Sequence, residues 1–140
     1  MEWDEVVDAA TRSGWTTYIG TADAAGVPHV AVVAPGFTDG TVWFVTRASS
    51  KKLRNLRENT GVAFHWPVGN AAAPGELAAW GAATLHDSDD ELRTLWDAGI
   101  MSYDLNGFFG SPDETDAVFV EVAVQRARLQ TQHGARVWTP

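Results

Sequence analysis

The run from Thr41 to Thr46 is apolar on both of its alternating faces. Val42 and Phe44 fall on one side of such a strand, and Trp43 and Val45 fall on the other. Because side chains alternate between the two faces of a strand, other parts of the protein have to cover both sides of this one. The sequence therefore predicts a strand that lies in a barrel or at an interface.

Further short runs rich in β-branched and aromatic residues are separated by turn sequences such as Thr38-Asp39-Gly40. This spacing predicts an antiparallel meander. Gly81 interrupts one of these runs and indicates a bulge or the close approach of another backbone. The predicted strands are Trp15 to Thr21, Val27 to Ala34, Thr41 to Thr46, Gly61 to Trp66, Glu76 to His86, Ala117 to Leu129 and Arg136 to Trp138.

Three helices are predicted from apolar residues at near-helical spacing. The first covers Glu2 to Ser13 and the second covers Ser50 to Asn59. The third is predicted to begin at Ser88, which has the sequence pattern of a capping box with Glu91, so the acids in its first turn are expected to have a structural role. A loop and a long crossing connection are expected at Val68 to Gly75 and at Asp97 to Asp116.

The chain has 140 residues and contains no internal repeat and no linker. A chain of this length can bury about two-thirds of the surface that it exposes when unfolded. We therefore expect a single domain over residues 1–140. The order of its elements indicates a mainly β (α+β) fold, a closed antiparallel barrel with appended helices.

Several kinds of chemistry are excluded by what the sequence lacks. The absence of cysteine rules out disulfides and thiolate chemistry. No P-loop, dinucleotide-binding glycine motif or nucleophile elbow is present. The four histidines lack the spacing of a helical zinc site, so no metal is expected; they are His29, His65, His86 and His133.

Charge and hydropathy limit the possible partners. The formal net charge of −8 argues against nucleic acid, which binds to broad basic surfaces. The N-terminal residues are acidic where a secretory signal is basic, and no apolar run approaches the roughly 20 residues that span a bilayer. We therefore expect a cytoplasmic protein that has no nucleic-acid or membrane partner.

Five of the ten basic residues fall between Arg47 and Arg57, within this acidic chain. The predicted second helix begins there, which places Lys51 and Lys52 in its first turn. Cations at a helix N-terminus are unfavourable, because unpaired N–H groups already give that end a partial positive charge. A strand, a serine-containing turn and a helix N-terminus with flanking cations form a suitable site for a phosphate group. The alternative interpretation is a solvated basic face, or a patch that pairs with the acidic remainder of the surface in a structural dimer.

Trp43 to Leu53, followed by Asn55 to Asn59 and Val62 to Phe64, resembles a known family. The sequence is similar to the strand, phosphate turn, helix and next strand of the FMN-binding split-barrel proteins. These are the pyridoxamine 5'-phosphate oxidase-like proteins, here their general-stress-protein branch. Glu76 to Gly81 and Phe108 to Asp113 resemble further parts of the family. The resemblance implies an antiparallel split β-barrel with appended helices.

The resemblance also implies a cofactor site. Thr46, Ser50, Lys51 and Lys52 correspond to residues that contact the phosphate and ribityl chain of FMN, and Arg47 is expected to join them. Strand residues 31–34 are expected to pass beside the flavin ring, with residues 44 and 46 facing the cofactor. Glu76 falls near the position where larger family members carry a glutamine against the flavin. Family members are commonly homodimers with the flavin at the subunit interface.

The expected function is that of an FMN-binding oxidoreductase that acts on an unknown small-molecule substrate or electron donor. Pyridoxamine 5'-phosphate oxidase activity is not expected, because Arg128-Leu129-Gln130-Thr131 lacks the proline of the substrate motif of that enzyme. No catalytic residue can be named from the sequence. One alternative is a deazaflavin coenzyme, whose anionic tail would also contact Arg54 and Arg57. Another is a non-catalytic flavin- or haem-binding stress protein, with an axial ligand from His29, His65 or His86.

Overall fold

Eight strands and four helices make up the computed structural model, which describes all residues 1–140. The helices are α1 (Trp3–Arg12), α2 (Lys51–Glu58), α3 (Asp89–Asp97) and α4 (Leu105–Phe109). The strands are β1 (Thr17–Ala22), β2 (Pro28–Val33), β3 (Gly36–Thr38), β4 (Thr41–Arg47), β5 (Gly61–Gly69), β6 (Pro74–His86), β7 (Ala117–Thr131) and β8 (Gly134–Trp138). No helix has the length and hydropathy that a bilayer crossing requires.

The strands form one antiparallel sheet in the order β2-β1-β5-β6-β7-β4-β3, and β8 pairs with β7. The mainly β fold with appended helices is therefore as predicted. Full closure of the barrel is not observed, because β2 and β3 end the hydrogen-bonded path without pairing with each other. Helix α2 packs against β1 and β2, and β2 lies beside β4 without a ladder between them. The barrel is thus split on the side where β4 leads into α2.

Strand β4 is buried on both faces, as its sequence predicts. Val42 and Phe44 belong to the main hydrophobic cluster inside the sheet. Trp43 and Val45 belong to a second cluster, which α3, α4 and the intervening segment cover from outside. Each fully buried side chain of this size stabilises the fold by about 1.5–3 kcal/mol. The two clusters fix β4, and with it the start of α2, from both sides.

Gly81 lies at a break in the register between β6 and β7, which confirms the predicted irregularity. A Cβ atom at this position would lie 2.2 Å from the carbonyl oxygen of Ala123 and 2.9 Å from Cγ1 of Val122. Only glycine allows such a close approach of the neighbouring strand.

The segment Val68 to Gly75, predicted as a loop, is a loop only at residues 70–73, because β5 extends to Gly69 and β6 begins at Pro74. Strand β5 continues through Pro67, and the connection to β6 is a short turn in which Oδ1 of Asn70 accepts hydrogen bonds from the N–H groups of Ala72 and Ala73 at 3.0 Å. Proline is tolerated because β1 pairs with β5 only at residues 63–65, so the backbone beyond them is at an edge.

Candidate functional site

A pocket of about 490 Å³ opens at the split side of the barrel, where β4 runs into α2. Hydroxyl groups and cations line one end of this pocket, and they belong to Thr46, Ser49, Ser50, Arg47 and Lys52. Apolar side chains line the remainder, and they belong to Trp15, Val32, Val33, Ala34, Val45, Tyr103, Phe108 and Phe109, with Thr16 beside them. The pocket therefore has a polar, cationic end and a largely apolar body.

Ser50 forms the N-cap of α2 at the polar end. Its Oγ accepts a hydrogen bond of 3.2 Å from the N–H of Leu53 and another of 3.0 Å from Oγ1 of Thr46. The backbone N–H groups of Lys51 and Lys52 make no hydrogen bond within the protein. The first turn of α2 contains no acid, whereas the first turns of α1 and α3 contain two and three. Donors and positive charge at this helix end are thus free for an anion.

The lysines next to the cap have no acidic partner. Neither Lys51 nor Lys52 forms an ion pair, whereas Arg57 at the other end of α2 pairs with Asp87 at 3.2 Å. Burial lowers the pKa of Lys52 below its usual value, because the charged form loses hydration. A bound anion would offset that lost hydration.

Arg47 connects the end of β4 to α4. Its guanidinium forms an ion pair of 2.9 Å with Asp116 and donates a hydrogen bond of 3.2 Å to the carbonyl oxygen of Phe108. Its central carbon lies 5.5 Å from the centre of the Phe109 ring, within the range of a cation–π contact. Arg47 is therefore at the pocket, and its present contacts hold the α4 side of it in place.

Three aromatic side chains form a wall on the apolar side of the pocket. The ring of Trp15 lies 6.3 Å from those of Tyr103 and Phe108, which are 5.1 Å apart. Trp15 is 60% exposed and Phe108 is 56% exposed. Burial raises the pKa of the Tyr103 hydroxyl, so this group is neutral over the ordinary pH range. Exposed rings that contact each other beside a pocket are available to cover a flat ligand.

Of the six residues predicted to bind the cofactor, four line this pocket: Thr46, Arg47, Ser50 and Lys52. Lys51 is adjacent on α2, but its side chain is exposed and does not line the pocket. Glu76 is elsewhere, on β6, where it contacts Nε2 of His65 at 3.0 Å and Arg128 at 3.6 Å. Of strand residues 31–34, the last three line the pocket and Ala31 does not. Phe44, which was expected to face the cofactor, is instead buried in the main core, and Val45 lines the pocket.

The aromatic wall was not foreseen from the sequence. The predicted crossing connection is rich in glycine and acids but contains the aromatic residues Tyr103, Phe108 and Phe109. This cluster is the only feature of the sequence that could have indicated an aromatic surface there. The sequence predicts Trp15 within a strand, but in the structure this residue precedes β1 and is exposed. The sequence does not indicate that these distant residues meet.

The histidines that could serve as haem ligands lie away from the pocket, since none of them lines it. His86 is engaged at both ring nitrogens, with Nε2 2.8 Å from Glu121 and Nδ1 3.4 Å from Glu91, and its ring stacks on Trp43. His65 contacts Glu76, and Nδ1 of His29 is buried without a partner. No group of three or more histidine and acidic side chains is arranged so that it could hold a metal ion.

The fold is that of a split-barrel protein, and the cationic end of its pocket lies at the N-terminus of α2. The chain belongs to the pyridoxamine 5'-phosphate oxidase family, whose pattern matches residues 4–131. No curated protein matches the sequence.

Solved structures of low sequence identity share the fold. A heme-binding protein from Mycobacterium smegmatis has a TM-score of 0.75 and 16% identity over 96% of this chain, which spans only 57% of that protein. A protein from Clostridium acetobutylicum related to general stress protein 26 has a TM-score of 0.75 and 13% identity, over 99% of this chain and 96% of that one. A pyridoxamine 5'-phosphate oxidase-related, FMN-binding protein from Nostoc punctiforme has a TM-score of 0.65 and 12% identity, over 99% of this chain and 94% of that one.

Proposed function

We propose that the protein binds FMN in the pocket between β4 and α2, and that it is a flavin-dependent oxidoreductase acting on a small molecule. The observation that carries this proposal is the half-buried Lys52, which has no acidic partner and lies next to the hydroxyls of Thr46 and Ser50. Family membership and the FMN-binding protein from Nostoc punctiforme support the choice of ligand.

The polar end of the pocket would hold the FMN phosphate. The free N–H groups of Lys51 and Lys52 would donate to phosphate oxygens, and the ammonium of Lys52 would neutralise part of the charge. The side chain of Lys51 is exposed next to this site and adds positive potential without direct contact. The Thr46 hydroxyl can turn from Ser50 toward a ligand, since a hydroxyl rotates to suit its partners.

The apolar body of the pocket suits the ring system. Val32, Val33 and Val45 form an aliphatic surface, and the aromatic wall closes the opposite side. FMN supplies the hydride or electron transfer when it is bound, while the protein contributes placement and the exclusion of water. The pocket-lining side chains include no histidine and no carboxylate, so the protein offers no obvious general base there.

A second copy of the chain would cover an exposed apolar face next to the pocket. Cross-strand pairing places Val32 beside Tyr18 and Val30 beside Gly20. The row that contains Gly20 continues through Ala63 on β5 to Trp80 on β6. Val30, Val32, Tyr18 and Trp80 are all exposed, which forms a larger apolar patch than isolated surface residues would. We call this surface the Tyr18 face.

The Tyr18 face is continuous with the pocket, because Val32 belongs to both. A homodimer formed through it would place the pocket at the subunit interface. Glu76 pairs with Pro67 across β5 and β6, and the next pair on the same face of the sheet is Ala78 with His65. Glu76 therefore lies at the border of the Tyr18 face. Any contact of Glu76 with a cofactor would therefore involve the pocket of the other copy.

The deazaflavin alternative is less well supported by the cations present. Arg57 is already paired with Asp87, so of the two arginines expected to contact a long anionic tail only Arg54 is without an ion pair. Haem has the M. smegmatis neighbour in its favour, but no histidine lines the pocket to serve as an axial ligand. FMN agrees better with the donors that the pocket contains.

The proposal is tested by measuring the affinities of FMN and of riboflavin, which lacks the phosphate, for the wild type and for Lys52→Ala. Loss of a charge-assisted hydrogen bond of about 1.5–3 kcal/mol should weaken FMN binding by roughly tenfold or more. Riboflavin binding should not change. Arg54→Ala is the matched control, since it removes the same charge from α2 at a position that does not line the pocket. Equal binding of FMN and riboflavin by the wild type would refute the proposal.

A further inference from the structure

A second cavity of about 620 Å³ lies behind Trp15, between α1, β3 and the segment that precedes α4. Its lining differs from that of the pocket at α2, because no ionisable side chain contributes to it. Thr11 and Ser102 supply hydroxyl groups at exposed positions on its border. Its volume is within the range of small-molecule sites, about 300–1,000 Å³.

Aromatic and aliphatic surfaces make up the interior of this cavity. The rings of Phe37 and Trp66 lie 6.3 Å apart and are tilted by 34° from each other. Trp66 is also 5.6 Å from Phe64, so the main core fixes its position. Val7 and Ile100 complete the apolar lining. Trp66 is only 1% exposed and supports the ring of Phe37 from behind, so the aromatic surface open to a ligand belongs to Phe37 and Trp15. A flat aromatic ligand can pack on these rings in an offset arrangement.

Trp15 separates the two cavities, since it lines both. Its ring contacts Tyr103 and Phe108 on the side of the pocket at α2. It follows Gly14, which has a φ of +130° and no atom within 4 Å of a would-be Cβ, so the backbone before Trp15 lies in open space. A ligand in the second cavity would therefore lie one indole ring away from the proposed cofactor.

We propose that the second cavity is a binding site for an uncharged, planar aromatic molecule, distinct from the pocket at α2. This inference does not depend on the proposed FMN site. The ligand is uncharged because a buried charge would lose hydration without gaining a partner from this lining. The pocket at α2 is lined by cations and suits an anionic ligand, whereas the second cavity has no charged lining and suits an uncharged one.

The test uses menadione, an uncharged naphthoquinone, as the probe, and a naphthoquinone sulfonate as its charged counterpart. Equilibrium dialysis against the purified full-length chain measures both affinities. Thr11→Trp and Ser102→Trp each place an indole at the border of the cavity and should weaken menadione binding at least tenfold. Asp8→Trp is the matched control, because Asp8 is exposed on α1 and lines neither cavity. The sulfonate should bind the wild type at least tenfold more weakly than menadione.

Two filling variants are used so that a misfolded one can be replaced by the other, with thermal melting as the check on folding. Absence of saturable menadione binding to the wild type would overturn the proposal, as would equal binding by the wild type and a folded filling variant. FMN affinity is measured on the same samples and should be the same in all of them. If the wild type binds menadione but not FMN, the result counts against the cofactor site and not against the second cavity.

Discussion

The hydroxyl oxygens of Thr46 and Ser50 are 3.0 Å apart and joined by a hydrogen bond that links the end of β4 to the N-cap of α2. The same Ser50 oxygen accepts from the N–H of Leu53. One side chain thus stabilises the helix and shapes the polar end of the pocket. Stability and ligand binding can be separated by comparing this cap with another one.

Ser50→Ala should lower the free energy of unfolding by about 1 kcal/mol, the usual effect of losing a serine cap. Ser88→Ala removes the equivalent cap of α3, where Oγ accepts from the N–H of Glu91 at 3.3 Å, and should have a similar effect on stability. Only Ser50→Ala should weaken FMN binding. Urea unfolding and flavin titration measure the two quantities. Equal loss of flavin affinity in both variants would mean that Ser50 acts only through general stability.

Lys51→Glu should stabilise the ligand-free protein while it weakens FMN binding. An acid in the first turn of α2 would interact favourably with the helix N-terminus, by about 0.3–1 kcal/mol at low salt. The same charge would repel a phosphate at that site. Unfolding experiments without ligand and titrations at low and high salt test both effects, which should shrink as salt screens them. Tighter FMN binding by Lys51→Glu would contradict the site.

Gly81→Ala should destabilise the fold by about 1–3 kcal/mol, because the added Cβ would overlap with Ala123 and Val122. Gly20→Ala is the control, since a Cβ there would have its nearest neighbour at 3.8 Å, an ordinary contact. That variant should change stability little. Chemical denaturation of both variants checks the difference, and equal stabilities would show that the bulge at Gly81 adapts to a side chain.

The stability of the fold should depend on pH through His86, which is 18% exposed. Burial opposes its charged form, but the hydrogen bonds to Glu121 and Glu91 outweigh burial and raise the pKa above the usual 6.5. A histidine with a raised pKa in the folded state stabilises that state below the unfolded pKa. This contribution is lost as pH rises through the folded pKa.

Unfolding of the wild type should therefore require less urea as the pH increases above about 6.5. His86→Gln should flatten this dependence, because glutamine does not titrate. His133→Gln replaces an exposed histidine on the β7–β8 turn and should leave the profile of the wild type unchanged. A profile that His86→Gln does not alter would show that other groups cause the dependence.

Val30→Asp should convert the proposed dimer to a monomer, because it places a charge on the Tyr18 face, where Val30 is 68% exposed. Light scattering after size-exclusion chromatography gives the mass in solution. Val137→Asp is the matched control, since Val137 is also exposed but lies on β8. A monomeric wild type, or a dimer that persists in Val30→Asp, would refute an interface on this face.

Much of the fold is predictable because its signals are local. The alternation in β4, the serine that caps α2 and the glycine at the bulge can each be recognised from a few neighbouring residues in the sequence. Strand β3 and helix α4 escape prediction because three and five residues are too short for a periodic pattern. The sequence predicts a closed barrel because the apolar pattern of β4 shows that both of its faces are covered. That pattern does not show that α2 packs against β1 and β2 at the split side.

The site is predictable only in its polar half. Thr46 and Ser50 are four residues apart, so the sequence itself brings them together. The wall formed by Trp15, Tyr103 and Phe108 depends on packing between segments nearly ninety residues apart. The contacts of Arg47 depend in the same way on Asp116, which the sequence does not place beside it. Arg47, which the sequence predicts as a contact of the cofactor, is thus also engaged in contacts within the protein.

The most direct test of the central claim is the visible absorbance spectrum of the purified protein after incubation with FMN and desalting. Retention of the flavin bands in stoichiometric amount is expected for the wild type, with loss of those bands in Lys52→Ala. A spectrum without flavin bands for the folded wild type would contradict the assignment of the pocket between β4 and α2 to FMN.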